Sequence, residues 1–574
     1  MRHPTETRLY WADQICINQD DEEEKSQQIE IMADVYTRAQ NVLIWLGIGT
    51  DETDLAMETF PSILEELQEI DHTKEPFGGL QKEMLRYRSS QLGGINRLLC
   101  RPWFNRVWTL QEGACAKNGI ILCGTKSMSL DTLIEFIKGC RHDRIGHWTQ
   151  MLEAVVWMHP QDLSTRNFGR HIDTIIKLKH EQSFIADRSH LFRLFIRLRS
   201  CGASDDRDFI YSIFRYLPRE IQQTIRNKAK YGDYAVEELY QAVARVDLCH
   251  YKDALLLSGA GLSQQTLRLP SWVPDWTHRH VCKLFAVLNV MSLDKQGRCL
   301  YQASRDTVGD FSLADSDEVL QTHGKILGSV VDVAQQFDIQ MTAPLDLADL
   351  AKHLFPCLQH CQSQYEKSVQ FAKHHLDLFD DNDSITQARL TLVGSLKGDG
   401  GGMTSGNVER ISSVEEVTSM YEAFEQFQAA LSVLVSIPDD EPVTAESQQR
   451  YGQILDGMNV QVVSQMIGCM KDACQGRKLF AMQLFHTSHH ERKRCIGLAP
   501  ADARAGDQVA VVFGSPVPYV VRPVTETLEK PTGTKKDSLR HEHFALVGEA
   551  FVHGFMDGEA IDLEEVPATH FQFV

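Results

Sequence analysis

The sequence predicts an α/β protein: a parallel sheet with flanking helices, then a helical connector, then a mixed α/β region that ends in a small antiparallel sheet. Three observations predict it. Two apolar runs bracket one helix-period stretch within residues 9–46, helical periodicity dominates from 126 to 250, and short strand-like runs separated by turn residues follow Gln508.

The first run, Leu9-Tyr10-Trp11 through Asp13 to Ile15-Cys16-Ile17, predicts a buried strand. Asp21 with Glu24 three residues later predicts a capping box, and Glu22, Glu23 and Glu24 suit the positive end of a helix dipole, so a helix is expected over 22–40. Ile29, Met32, Ala33 and Tyr36 recur on one face of it. Val42-Leu43-Ile44-Trp45-Leu46, stopped by Gly47, predicts a strand. Together these make a β-α-β unit, a right-handed crossover whose ligand sites lie past the carboxyl ends of the strands, at 18–20 and 47–50. A helix is expected near 54–70 and a polar, glycine-bearing segment through Gly94. Pro102 suits the first turn of a helix that carries Trp103 to Glu112, and Ile120-Ile121-Leu122-Cys123 predicts another strand.

Leu191–Leu198 and Ala235–Val246 predict amphipathic helices of the connector. A helix is expected near 413–435, and six glycines in 394–406 predict a flexible loop without the Gly-Lys-Ser/Thr ending of a phosphate cradle. Gln508–Phe513, Tyr519–Arg522 and Phe544–Val552 predict the closing strands.

A chain of 574 residues exceeds one core, and the expected divisions are 1–125, 126–250 and 251–574, the last with a loop near 394–412. Hydrophobic residues at 43% and charged residues at 24% are ordinary for folded protein. The net charge of -20, with no basic stripe, disfavours nucleic acid as a partner. No apolar run reaches membrane-span length and Met1–Asp13 holds no secretory core, so a soluble, cytoplasmic protein is expected, without membrane insertion. Its 14 cysteines are scattered and expected to be reduced, and Cys16, between two isoleucines, is expected to be a packed thiol.

Three blocks resemble the heterokaryon-incompatibility (HET) family of filamentous fungi. The first is Trp11-Ala12-Asp13-Gln14-Ile15-Cys16-Ile17-Asn18-Gln19-Asp20 with Glu24–Gln28, Tyr36 and Val42–Gly47. The second is Arg101-Pro102-Trp103-Phe104-Asn105-Arg106-Val107-Trp108 with Gln111-Glu112. Further along, Asp205–Tyr211, Pro270–Trp276, Gly497–Pro500 and His553–Glu559 resemble segments that recur downstream in such proteins. The resemblance implies a regulator of self/non-self recognition and programmed cell death. Domains of this family usually open with an aromatic strand well before the Asp-x-x-Cys-Ile-Asn-Gln block, which here begins at position 13, so an N-terminally truncated sheet is expected. The family's distant resemblance to TIR domains, some of which cleave NAD through the glutamate of a Trp-x-x-x-Glu motif, implies a TIR-like sheet and points to Trp108 and Glu112.

On a helix from Pro102, Arg101, Asn105, Trp108 and Glu112 form one stripe beside an apolar face of Trp103, Phe104, Val107, Leu110 and Ala114. Glu112 is the candidate catalytic residue: its carboxylate could hold a ribose hydroxyl and stabilise oxocarbenium character, with Trp108 as a stacking face. The other reading pairs Glu112 with an arginine or turns it to water. Asp13, Asn18, Arg101, Asn105 and Trp108 are the candidate ligand-binding residues, although short polar residues such as Asp13 and Asn18 also cap helices. His486, His489, His490 and Cys495 match no zinc spacing, so no metal site and no cofactor is expected; NAD enters only as a possible substrate. Two functions stay open: a signalling or assembly module with protein partners and self-association, and a NAD glycohydrolase centred on Glu112.

Overall fold

A computed structural model describes residues 7, 9–69, 94–95, 97–141, 163–180, 188–228, 235–252, 254–262, 265–278, 284–287, 299–314, 318–337, 347–376, 381–398, 408–435, 460–485, 494–524 and 543–574. The N-terminal sheet holds β1 (Val42–Trp45), β2 (Gly119–Cys123) and β3 (Lys126–Ser129), in that order. β1 and β2 run parallel, with Val42 beside Gly119 and Trp45 beside Leu122, while β2 and β3 run antiparallel. Val42, Ile44, Ile121 and Cys123 turn one face into a core shared with Ala56, Met57 and Phe60 of the helix Asp51–Glu69 and Leu130, Leu133 and Ile134 of the helix Leu130–Arg141.

The helix Glu22–Arg38 forms where the cap predicts it. Asp21 accepts from the N–H groups of Glu23 and Glu24, each at 3.0 Å, and Ile29, Met32 and Ala33 are buried. Glu24 reaches back to the N–H of Asn18 at 3.3 Å instead of closing a reciprocal box with Asp21.

The structure corrects four expectations. Residues 9–17 form no strand: Asp13–Cys16 is a short helical turn, and the backbone is satisfied locally, with Cys16 N–H on the Ala12 carbonyl at 2.8 Å and Ile17 N–H on that of Asp13 at 3.1 Å. The expected β-α-β crossover between 9–17 and 42–46 is therefore absent, and β1 finds its parallel neighbour at 119–123 instead. An apolar run of this length does not itself distinguish strand from helix; Leu9 is 98% and Ile15 85% exposed, and Ile17 alone of the run is buried. Cys16, expected inside, is exposed for the same reason.

The fourth correction concerns the helix from Pro102. Pro102–Asn105 is a 3-10 turn, Arg106 is extended, and an α-helix starts afresh at Trp108 and ends at Cys115. The break has a cause. The Asn105 carbonyl accepts from Gly202 N–H, and Val107 N–H donates to the Gly202 carbonyl at 3.2 Å, so a neighbouring segment takes the backbone groups that a continuous helix needs. The Thr109 hydroxyl serves the Trp103 and Arg106 carbonyls, each at 2.7 Å.

Beyond β3, helices Leu163–His180, Arg188–Leu198, Arg219–Lys228 and Val236–Arg245 make the connector. Trp276 packs there against Phe195 and Tyr240, at ring separations of 5.0 and 4.7 Å. One hydrophobic core runs on from Ile29 to Phe573.

The C-terminal strands are β4 (Ser312–Leu313), β5 (Leu320–Gln336), β6 (Leu396–Gly398), β7 (Val408–Arg410), β8 (Arg477–Leu484), β9 (Arg494–Pro500), β10 (Gln508–Val512), β11 (Tyr519–Val524), β12 (His543–Glu549), β13 (Phe551–Val552) and β14 (Thr569–Phe573). The expected closing strands are present in a larger, nine-stranded sheet that includes the long β5. β5 pairs with β10 and with β14, β11 with β10 and β12, and β12 in parallel with β14, so these strands close into a barrel, while β8 pairs with β5, β9 with β8 and β13 with β9. Closure removes exposed edges. Leu327, Val330, Met482, Val509, Val511, Val520 and Val547 pack together inside. Between β5 and β8 stand the helices Leu347–His375, Asp381–Leu392, Val414–Val435 and Val460–Cys474. β6 and β7 pair as a hairpin around the glycine-rich stretch, whose residues 399–407 lie outside the described residues, as do 70–93. Among the described residues no helix is long and apolar enough to cross a membrane, and no disulfide links the described cysteines.

Candidate functional site

Glu112 lies midway along the helix Trp108–Cys115, which packs against the helix Glu22–Arg38. Its carboxylate accepts the indole N–H of Trp103 at 2.9 Å. Trp103 is buried and fixed in turn, edge-on to Phe104 at 5.2 Å and to His171 at 5.9 Å. Burial pushes the Glu112 pKa above its ordinary value, the Trp103 bond and Arg106 pull it back, and the charge of Asp13 adds to the rise. Tyr36, on the facing helix, is held well above the usual phenol range, first by burial and then by the charges of Glu112 and Asp13. The Trp11 ring stands edge-on to Tyr36 at 5.8 Å, and Cys115 Sγ lies 3.5 Å from the Tyr216 hydroxyl. The short turn, the two helices and the extended Arg106 thus gather two carboxylates, a guanidinium, a phenol and indoles in one corner.

The structure divides the candidate residues. Asp13 joins Glu112 in this corner, and the Asp13 carbonyl accepts from the Gln19 amide at 2.9 Å. Asn18 is exposed and works as a turn residue, its Oδ1 accepting from Asp20 N–H at 3.2 Å. Arg101 sits past the carboxyl end of β1, donating to the Ile48 carbonyl at 2.9 Å, where Gly47 with φ +105 lets the chain turn. Asn105 faces the Gly202 segment through its backbone, and its Oδ1 is buried without a hydrogen bond. Trp108 is partly buried against the core. The break at Arg106 therefore dissolves the stripe: Arg101 and Asn105 belong to the 3-10 turn and Glu112 to the next helix.

Sequence reasoning missed three participants. Tyr36 was legible only as a core position and Arg106 only as part of a motif. The third is a buried cluster beside Trp103: Thr109 Oγ1 lies 2.9 Å from His171 Nε2, and Cys201 Sγ lies 3.7 Å from His171 Nδ1. No local spacing announces it. Gln111, also buried, joins the Ser212 carbonyl at 3.0 Å and the Ala33 N–H at 2.7 Å in the amide orientation that satisfies both. Among the described residues no group of His, Cys, Asp or Glu side chains is placed to hold a metal ion; His486, His489 and His490 lie outside them.

His171 yields a pH prediction. Burial drops its pKa from 6.5 to about 3. An unfolded histidine gains its proton first as pH falls, so the stability from keeping His171 neutral is complete above about 6.5 and is lost progressively toward about 3. Urea titrations from pH 7 to 5 should show wild type losing more stability than His171→Gln. Parallel losses would refute the assignment.

The comparisons with known proteins match this layout at both ends. The heterokaryon incompatibility protein (HET) family matches residues 1–112, and the Het-6 β-barrel domain matches residues 405–571. Heterokaryon incompatibility protein 6, OR allele, of Neurospora crassa is 23% identical over 620 residues, covering 98% of this chain and 83% of that protein. The chain is thus similar to HET proteins over its first 112 residues and to the Het-6 β-barrel near its end. No solved structure matches it significantly. The HET match ends at Glu112, yet Cys115, His171, Cys201 and Tyr216 complete the surroundings of that residue from beyond it. Likewise the barrel match begins after β5, the strand on which the barrel closes.

Proposed function

We propose that this chain is a HET-type fungal incompatibility regulator of self/non-self recognition and programmed cell death, acting in the cytoplasm as a signalling or assembly module. One observation carries the assembly reading: the Glu112 carboxylate is engaged by the indole of a buried tryptophan, at the seam where two helices pack. A carboxyl group so used holds the Trp103 indole in place. The relative's printed name supports the incompatibility role.

A second reading, a TIR-like NAD glycohydrolase, has its own support in the convergence of Asp13, Tyr36 and Arg106 on a carboxyl group of raised pKa. Its likeness to TIR domains rests on the Trp108-x-x-x-Glu112 spacing. Purified protein incubated with NAD separates the two. Under the assembly reading no nicotinamide is released, and Glu112→Gln, which still accepts from Trp103, triggers cell death as wild type does. Nicotinamide release that Glu112→Gln abolishes would overturn it in favour of the enzyme.

A further inference from the structure

Among the described residues β1 is an edge strand without the usual protection. Val42 N–H donates to the Asn118 carbonyl at 2.9 Å and Leu46 N–H to that of Leu122 at 2.8 Å. Since peptide groups alternate sides along a strand, those of Leu43 and Trp45 point away from β2. Among the described residues no strand pairs with that side. Edges are ordinarily blunted by charge, proline or a bulge, and Val42-Leu43-Ile44-Trp45 has neither charge nor proline. Its side chains compound the exposure. Val42 and Ile44 face the core, whereas Trp45, on the opposite face with Leu43, is 48% exposed, and Ile48 just beyond is exposed as well.

We infer that β1 pairs antiparallel with β1 of a second copy of this chain, joining two three-stranded sheets into one. The inference rests on the assembly reading above and names the surface that assembles. An antiparallel ladder must oppose outward-pointing residues with outward-pointing residues. With Ile44 on the twofold axis, Leu43 lies opposite the second copy's Trp45, and Trp45 opposite the second copy's Leu43. Both outward residues are then hydrogen-bonded, and each cross-strand pair joins apolar side chains on the open face. Charge agrees with this direction. Arg38, before β1, and Asp51, after it, are both exposed; antiparallel pairing brings the basic end of one copy toward the acidic end of the other, whereas parallel pairing sets like against like.

The test weighs the full chain in solution by sedimentation equilibrium at micromolar concentration, as wild type, Trp45→Phe and Trp45→Lys, with circular dichroism to confirm folding. Wild type and Trp45→Phe are expected at twice the monomer mass and Trp45→Lys at the monomer mass. Assembly of wild type that Trp45→Lys leaves unchanged would overturn the β1 interface while the assembly reading stands. A wild type that stays monomeric throughout would overturn both. Should Trp45→Lys fail to fold, hydrogen exchange of wild type decides: Leu43 and Trp45 amides slow at high concentration and fast on dilution support the pairing, and fast exchange at both refutes it.

Discussion

Arg477→Ala is expected to destabilise the protein by about 3–5 kcal/mol, because it strips the partner from a buried charge. Arg477 and Glu549 are both nearly inaccessible and meet at 3.0 Å, joining β8 to β12 within the barrel. The arrangement is over-determined on each side. Arg477 also donates to the Ala473 and Asp472 carbonyls at 2.8 and 3.1 Å, closing the end of the helix Val460–Cys474, and its guanidinium lies 4.0 Å from the centre of the Phe285 ring. Glu549 accepts from the N–H groups of Phe285 and Ala286. Removing the arginine leaves the carboxylate those two donors and no cation. Urea unfolding followed by barrel-region hydrogen exchange would read the loss. The double variant Arg477→Met with Glu549→Leu should recover part of it, since apolar replacement removes both desolvated charges but leaves the Phe285 and Ala286 N–H groups without their acceptor. A single variant as stable as wild type would show that the pair contributes little.

Much of the fold was legible where local chemistry decides it. Asp21 with the acidic first turn marks the helix Glu22–Arg38 to within a residue or two, and Gly47 marks the end of β1. The helices at 51–69 and 414–435 and the strands from 508 onward stand close to where periodicity places them. The failures share a cause. Whether residues 9–17 extend or coil depends on a partner strand that no local pattern encodes, and whether the chain from Pro102 stays helical depends on Gly202, far along the sequence. The site follows the same division. Glu112 and Asp13 were legible as polar members of motif blocks, but the corner also needs Tyr36 from a helix face, Trp103 as a hydrogen-bond donor and His171 from the connector. Barrel closure too depends on β5 meeting β10 across 171 residues of chain, from Phe337 to Asp507. Strand runs show that a sheet exists and leave its closure unstated.

Phe104→Ala should cost about 3–5 kcal/mol, the usual price of a large buried aromatic when the site cannot collapse around the void. Phe104 is wholly inaccessible, and its ring meets the Trp103 indole edge-on. Collapse is resisted on both sides. The 3-10 turn that carries Phe104 is pinned to Gly202 through Asn105 and Val107, and Trp103 is held by Glu112 and by His171. The same void frees the Trp103 ring, so the indole bond to Glu112 should weaken and the fluorescence anisotropy of the protein fall. Glu112→Gln forms the control. It keeps an acceptor for the indole and removes a carboxylate whose folded pKa is raised. A raised carboxylate pKa means stability that is full below the unfolded value and lost as pH rises through the folded one, so above the unfolded value the buried Glu112 carboxyl costs stability. Glu112→Gln should therefore match or exceed wild type in urea at pH 7, with the difference vanishing in acid. If Glu112→Gln proved as damaging as Phe104→Ala, the ionised carboxylate would be a net contributor to the fold, and burial would not be the dominant force on its proton.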